Sequence, residues 1–421
     1  MDNIGQVSYA SKLTKVNSSS RYLFFLFLIN PFITFLLGIK NFRFKADRIF
    51  ILLYGVFYGL TFIPIENSDA TRYEERIATI GNYSFKEYSR DILGMYGSEA
   101  RYNDAYVYTV YLIMGQFTSD PKLFRAFFAF IYFLVLIALI GNLYELSRFN
   151  YISKPVIWFL LGLVFLMNLS AGINGVRWPL ALQVFLLGYV LYLRKGSFKY
   201  LLLAMSSFLI HFMAAFFIPF VLLFHLTKNV YRPIWILFLT AIVVASSVFI
   251  LNSIQSNLGI LGEGVEERSS GYVSNETFQE QRIEHMQNWN WYLRFDRYST
   301  YYFGLIALAI SVLFSKKINK DDISKQMEYF AFLIFIASFL SGTLVDPISN
   351  RFFLAANGTA LIYLYYLSSI NRNSRLLKVF KFIYIPIGIL HILIMLRADI
   401  LTFSSNLIIG NVFTEMIYRY L

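Results

Sequence analysis

The 421-residue chain contains no cysteine. Disulfides, thiolate metal sites and cysteine nucleophiles are therefore excluded. Charge is also scarce: charged residues make up 15% of the chain, against 57% hydrophobic and 19% aromatic. An ordinary soluble domain carries more charge than this, so the composition points to an all-α, polytopic integral membrane bundle. The four histidines, His211, His225, His285 and His391, do not cluster in sequence, and no metal site is expected from them. There is no Walker A loop, no His-Glu-x-x-His motif, no Gly-x-Ser-x-Gly elbow and no dinucleotide glycine fingerprint, which argues against an ATP-driven pump. Residues 1–21 are polar and lack a small-residue cleavage site, so no cleavable signal peptide is expected. The net charge of +12 does not call for nucleic acid; in a membrane protein an excess of Lys and Arg belongs to the cytoplasmic loops.

What is present is a series of apolar runs of membrane length, at 22–39, 49–65, 123–143, 155–170, 176–193, 232–251, 299–315, 327–345, 352–370 and 377–396. With two harder stretches, 105–117 and 200–224, this amounts to about 10–12 segments in one polytopic domain spanning 1–421. Loops 40–48, 144–154, 194–199, 228–232, 316–325 and 371–381 are strongly basic, whereas 66–104, 252–298, 346–351 and 397–421 hold more Asp and Glu than Lys and Arg. The positive-inside rule puts the first set in the cytoplasm. That works only if 105–117 does not cross, and if 200–224 goes in and comes back as two half-helices meeting near His211. Irregular backbone at membrane depth is tolerated only where it lines a cavity or is buried in protein. The same topology leaves Lys12, Lys15 and Arg21 outside, unless the Asn30-Pro31 break makes the first run a hairpin.

The outer set is rich in arginine, with Lys86 its single lysine. Arginine is the better residue for bidentate recognition of phosphate or carboxylate, so this face suits an anionic ligand; ion pairing within the acidic loops is the competing explanation. Loops 66–104 and 252–298 are both long enough to expect function of them. The second carries Arg282, His285, Trp289, Trp291, Arg294 and Arg297. Such a mixture suits a sugar, with flat apolar faces for the ring and charged groups for the hydroxyls. For the tryptophans an interfacial aromatic belt is the alternative.

Arg177 and Arg351 are the central candidates. Arg177 lies between two apolar stretches, where a permanent cation costs about 2.5 kcal/mol or more at a bilayer centre. The topology moves both arginines to the outer end of a membrane helix: Arg177 heads 176–193, and Arg351 heads the run after Asp346-Pro347-Ile348-Ser349-Asn350. Two guanidiniums there could clamp a lipid-linked pyrophosphate, or snorkel, or pair with Asp69, Asp104 or Asp346. His211 is either a general base or a neutral histidine hydrogen-bonded within the bundle. Asp69 and Arg72 share a face if helical, so Asp69 is either a base or the partner of an arginine.

At these residues the chain resembles the Wzy/EpsG family of bacterial O-antigen and polysaccharide repeat-unit polymerases. The matching features are Asp69-x-x-Arg72-Tyr73, Asn174-Gly175-Val176-Arg177-Trp178-Pro179-Leu180-Ala181, Phe208-Leu209-Ile210-His211-Phe212-Met213-Ala214, and Arg351 with its aromatic helix. Their order covers most of 50–370. Two departures stand out: Trp178-Pro179 replaces the Gln usual after the arginine, and Met213-Ala214 replaces the usual Ser-Ala after the histidine.

The resemblance implies a GT-C-like membrane glycosyltransferase in the bacterial inner membrane, with its active site facing the periplasm. Its substrates would be undecaprenyl-pyrophosphate-linked oligosaccharides, one the donor and one the acceptor, without metal, cofactor or nucleotide sugar. Arg177, Arg351 and Arg72 would hold the pyrophosphate, and His211 or Asp69 would assist catalysis. Membrane lipid and a chain-length regulator protein are the implied partners. Two alternatives remain at this point: an O-antigen ligase of the same fold, for which His285 in the largest outer loop is a candidate, and a lipid-linked oligosaccharide flippase.

Overall fold

The computed structural model describes residues 16–66, 68–79, 84–93, 105–147, 161–167, 169–228, 242, 290–313, 320–342, 346–371, 375–400, 402 and 411–413. Every regular element among them is helical. The runs 155–160 and 232–241, and most of loop 252–298, lie outside the described residues.

Helices α1 (Val16–Ile29) and α2 (Pro31–Lys40) meet at Asn30, whose side chain accepts the Ile33 N–H at 2.9 Å as an N-cap. Proline follows at the first helical position, where its missing N–H leaves nothing unsatisfied. Both helices run antiparallel to α3 (Lys45–Thr61): Phe27 packs edge-on against Phe57, and Phe35 stacks on Tyr54 at 4.5 Å. The break is therefore a kink in one continuing segment and not a hairpin; Lys12 and Lys15 lie outside the described residues.

Helices α4 (Asp69–Thr79), α5 (Phe85–Leu93) and α6 (Ala105–Gly115) form a separate apolar cluster with the start of α7 (Pro121–Leu146). In this cluster Tyr106 meets Phe128 and Tyr111 meets Phe124. Helix α6 thus stays beside the first turns of α7. Residues 161–164 are helical, but the chain turns from Phe165 onward, so the described part of the expected 155–170 run is not one continuous helix. The short α8 (Ala171–Asn174) leads into α9 (Arg177–Lys195), which a left-handed Gly196 terminates.

After α9 the chain makes a hairpin. Helix α10 (Lys199–Met205) runs up to a 3-10 turn (Ser206–Leu209), the backbone passes His211 in extended form, and a second 3-10 turn (Phe212–Phe217) leads into α11 (Ile218–Thr227). Both feet of the hairpin stand at the end of α9. The Phe198 and His225 rings are 5.0 Å apart, and Tyr192 Oη lies 2.8 Å from His225 Nδ1. Its tip reaches Trp178, at the start of α9. The segment runs out and back on itself; at its tip His211, Met213 and Ala214 are buried, whereas Phe208 and Leu209 are exposed.

Helices α12 (Trp291–Leu313), α13 (Asp322–Gly342), α14 (Asp346–Ile370) and α15 (Arg375–Ile400) complete the bundle. Helix α14 begins at Asp346-Pro347, so Arg351 lies in its second turn and does not head it. Pro347 stands in the first turn, so the helix starts before the run that Arg351 was expected to head. Likewise Trp291, Arg294 and Arg297 lie on the first turns of α12, inside the stretch expected to be loop. Among the described residues two helices are long and apolar enough to cross a membrane, α7 and the Arg351–Ile370 part of α14. Stacked aromatic pairs such as Phe185–Phe217 at 4.6 Å and Tyr189–Phe330 at 4.4 Å join α9 to its neighbours.

The packing defines two ends. One holds Arg194 with Glu145, Lys228 with Tyr192, and Lys320 with Glu328. The other holds residues 69–79, 170–178, 211, 351 and 399, and is called here the site end. Lys122, at the start of α7, is also at the site end, so Lys86 is not its only lysine.

Candidate active site

The site is built on the turn that leads into α9. Asp399, near the last turn of α15, is fully buried, and its two carboxylate oxygens accept the Ser170 N–H at 2.7 Å and the Leu169 N–H at 3.0 Å. A buried carboxylate is costly without such partners. Four residues on, Asn174 Oδ1 accepts the Ala70 N–H at 3.1 Å, which satisfies an orphan donor in the first turn of α4. The Ile63 N–H reaches the Thr402 carbonyl at 2.6 Å, and Tyr58 Oη lies 3.2 Å from Thr402 Oγ1. Four distant stretches of chain are thereby tied together directly before Arg177.

Trp178 is the centre of the site. The Arg351 guanidinium lies 5.5 Å from its ring centroid, a cation–π contact across from α14. The His211 ring stands edge-on to it at 5.7 Å and 86°, and Phe217 flanks it at 6.0 Å. His211 is 5% exposed, and the charges of both Arg351 and Arg177 act on it. Its Nδ1 accepts the Met213 N–H at 3.2 Å. Three of the four expected catalytic residues, Arg177, His211 and Arg351, therefore converge from three parts of the chain. Two guanidiniums in a half-buried, aromatic-lined setting make a region of positive potential suited to an anion.

The fourth candidate, Asp69, forms an ion pair with Arg72 on an exposed face of α4. Neither side chain has a described contact with the cluster, although the start of their helix is held by Asn174. Arg76 pairs with Asp91 at 3.8 Å, and the largely buried Arg125 pairs with Glu74. For these three arginines, pairing within the acidic loops is what the structure contains. Among the glycan candidates, Arg282, His285 and Trp289 lie outside the described residues, and of Arg297 only the backbone is described. Trp291 is 67% exposed and meets Tyr292 edge-on, Arg294 is exposed, and Arg397 lies 4.4 Å from the Tyr292 ring centroid.

The sequence reading missed Trp178 and Asp399. Trp178 was noted only as a departure at the position after the arginine. Asp399 was counted as a loop charge; its signal was an acid just after the apolar run that ends at Leu396, with Arg397 two residues before it.

The described elements, all helical and two of them long and apolar enough to cross a membrane, are those of a helical membrane protein. More specifically, the EpsG family model matches residues 46–407, most of the chain, and the chain belongs to that family. These are Wzy-like polymerases of polysaccharide biosynthesis, glycosyltransferase-like in kind. No curated protein and no solved structure matches the chain.

Proposed function

We propose that this protein joins undecaprenyl-pyrophosphate-linked oligosaccharide repeat units into O-antigen or a related surface polysaccharide, at the periplasmic face of the inner membrane, within a GT-C-like bundle. The observation that carries this reading is the convergence of Arg177, Arg351, Trp178 and His211 at the site end, the end that the charge sorting assigns to the outside. The acceptor unit's hydroxyl attacks the sugar carbon that bears the pyrophosphate of the growing chain. A new glycosidic bond forms, the carbon–oxygen bond to the pyrophosphate breaks, and the lipid pyrophosphate leaves with the electron pair. The free energy is stored in the donor, so no nucleotide is consumed. Arg177 and Arg351 stabilise the charge that develops on the leaving group. His211 and Asp69 are the candidates to assist the hydroxyl. Loop 252–298, with Trp291 and Arg294 at its helical end, guides the glycan.

Deleting the gene from its host tests this directly. The expected product is surface glycan bearing a single repeat unit, with a full ladder restored by the wild-type gene; loss of every unit instead indicates a ligase or a flippase. Arg177→Lys and Arg351→Lys are expected to accumulate in the membrane but not to restore the ladder. Lysine offers a point charge in place of a planar fork, and at 351 it also changes the cation–π contact with Trp178. Full rescue by lysine at both positions refutes the bidentate role.

A further inference from the structure

The environment of His211 decides between the two roles left open for it. The chain passes this residue with φ −149° and ψ 118°, and the 3-10 turn Phe212–Phe217 starts directly after it. A helical start leaves backbone N–H groups without partners. Here the histidine supplies the cap that Ser, Thr, Asn or Asp usually provides, with Nδ1 accepting the Met213 N–H at 3.2 Å. A nitrogen that accepts an N–H carries no proton of its own. In the neutral ring the proton is then on Nε2, which is a donor and has no lone pair to offer. For His211 to take a proton from a hydroxyl, Nδ1 would have to release Met213, leaving a buried N–H orphaned and a new cation beside Arg177 and Arg351.

Its neighbours have the same polarity. Arg177 and Arg351 are donors only, and so is the indole of Trp178, whose Nε1 is buried without a partner among the described residues. Two guanidiniums, an imidazole N–H and an indole N–H are all donors. Such a set complements the oxygens of a polyanion and is a poor place to deposit a proton.

We propose that His211 binds the substrate's phosphate as a hydrogen-bond donor through Nε2–H, and that it is not the base for the attacking hydroxyl. This rests on the polymerase reading above. Removing one such donor from a developing oxyanion costs about 100-fold or more in rate.

Two substitutions separate the possibilities. In His211→Asn the amide oxygen takes the place of Nδ1 and keeps the cap, but nothing replaces Nε2–H. In His211→Gln the amide nitrogen reaches the place of Nε2 and keeps a donor, yet cannot act as a base. Each is introduced into the full-length protein in the deletion strain, with membrane abundance measured beside ladder length. A phosphate donor predicts that Gln retains most of the ladder while Asn loses it. A base predicts that both lose it, and a purely structural cap predicts that Asn keeps it and Gln loses it; either result overturns the proposal. If the wild-type gene itself restores no ladder, the polymerase reading has failed, and that is seen before any His211 variant is scored. Solid-state 15N NMR of the histidine-labelled wild-type protein gives a check that needs no variant: a protonated Nε2 and a bare Nδ1 are expected, and the opposite tautomer refutes the assignment.

Discussion

Replacing Asp399 tests whether the site is held by a clamp remote from it in sequence. The carboxylate accepts the backbone N–H groups of Ser170 at 2.7 Å and Leu169 at 3.0 Å, across sequence separations of 229 and 230 residues. Hydrogen bonds to a charged group contribute about 1.5–3 kcal/mol each. In Asp399→Asn one acceptor oxygen remains, without the charge, and the other becomes an NH2 that faces an N–H. The expected loss is about 2–4 kcal/mol, one charged bond plus the desolvation of an orphaned donor. Asp399→Ala orphans both N–H groups and is expected to be worse, although it also relieves the cost of burying a carboxylate.

The consequence for function follows from what the clamp precedes. Leu169 and Ser170 lead through α8 to Asn174, which holds the start of α4, and then to Arg177. Loosening this turn moves a guanidinium that, in the proposed reaction, meets phosphate oxygens, and a misplacement of about 1 Å costs on the order of 100-fold in rate. The assay is thermal unfolding of the purified protein in detergent, followed by tryptophan fluorescence, alongside ladder length in the deletion strain. Asn should lower the unfolding midpoint by several degrees and shorten the ladder, with Ala below Asn in both. A wild-type midpoint and a full ladder in Asp399→Asn would refute the clamp, and an Ala variant more stable than Asn would refute the account by hydrogen bonds to the carboxylate.

Gly188→Ala should displace the hairpin that carries His211, because a methyl there would lie 2.7 Å from both Ala204 Cα and the Tyr200 carbonyl oxygen. Overpacking of this kind costs about 1–3 kcal/mol, so a lower unfolding midpoint together with a shortened ladder is expected, and an unchanged protein contradicts the close approach of α9 and α10. At the start of α5, the Glu87 carboxylate is held below its usual range by hydrogen bonds from the Ser84 N–H and hydroxyl, with a smaller contribution from Arg90. Its contribution to this helix start is therefore fully present above the usual carboxylate pKa, and it is lost as pH falls through the lowered one. Amide exchange around Ser84, corrected for intrinsic rates, should lose protection across that acid window in the wild type and show no such step in Glu87→Gln; a step of equal size in both rules out Glu87 as its source.

The parts of this architecture that were legible in the sequence are those governed by local rules. The turning-back of 200–224 followed from charge: with basic loops on both flanks, the segment had to return to the side it left, and the break near His211 marked where. The brevity of 105–117 likewise separated α6 from the long helices. Local rules also misled. Arg351 was expected to head its run, but Pro347 is at home in the first turn of α14 and Arg351 sits a turn deeper. The Asn30-Pro31 break was visible, but its geometry depends on Phe27 and Phe35 both packing along α3, and no local signal contains that. Trp291 followed a polar stretch and was read as loop, whereas α12 already begins there.

The site itself depends on pairings that no single segment encodes. Arginine was expected to mark an anion site, but most arginines described in α4 to α7 do something else: Arg72, Arg76 and Arg125 pair with Asp69, Asp91 and Glu74 and so build the scaffold at the site end. What distinguishes Arg177 and Arg351 is the company of Trp178 and His211. One flat indole receives the Arg351 guanidinium and the edge of the imidazole, and it follows Arg177 directly in the chain. A glutamine at this position could neither hold the Arg351 guanidinium over a ring nor receive the imidazole edge. Trp178 therefore orients the groups proposed to meet the substrate. It also makes a specific demand: Trp178→Gln should release Arg351 and His211 together, so that its effect and that of Arg351→Lys are less than additive, as expected for residues that share one contact.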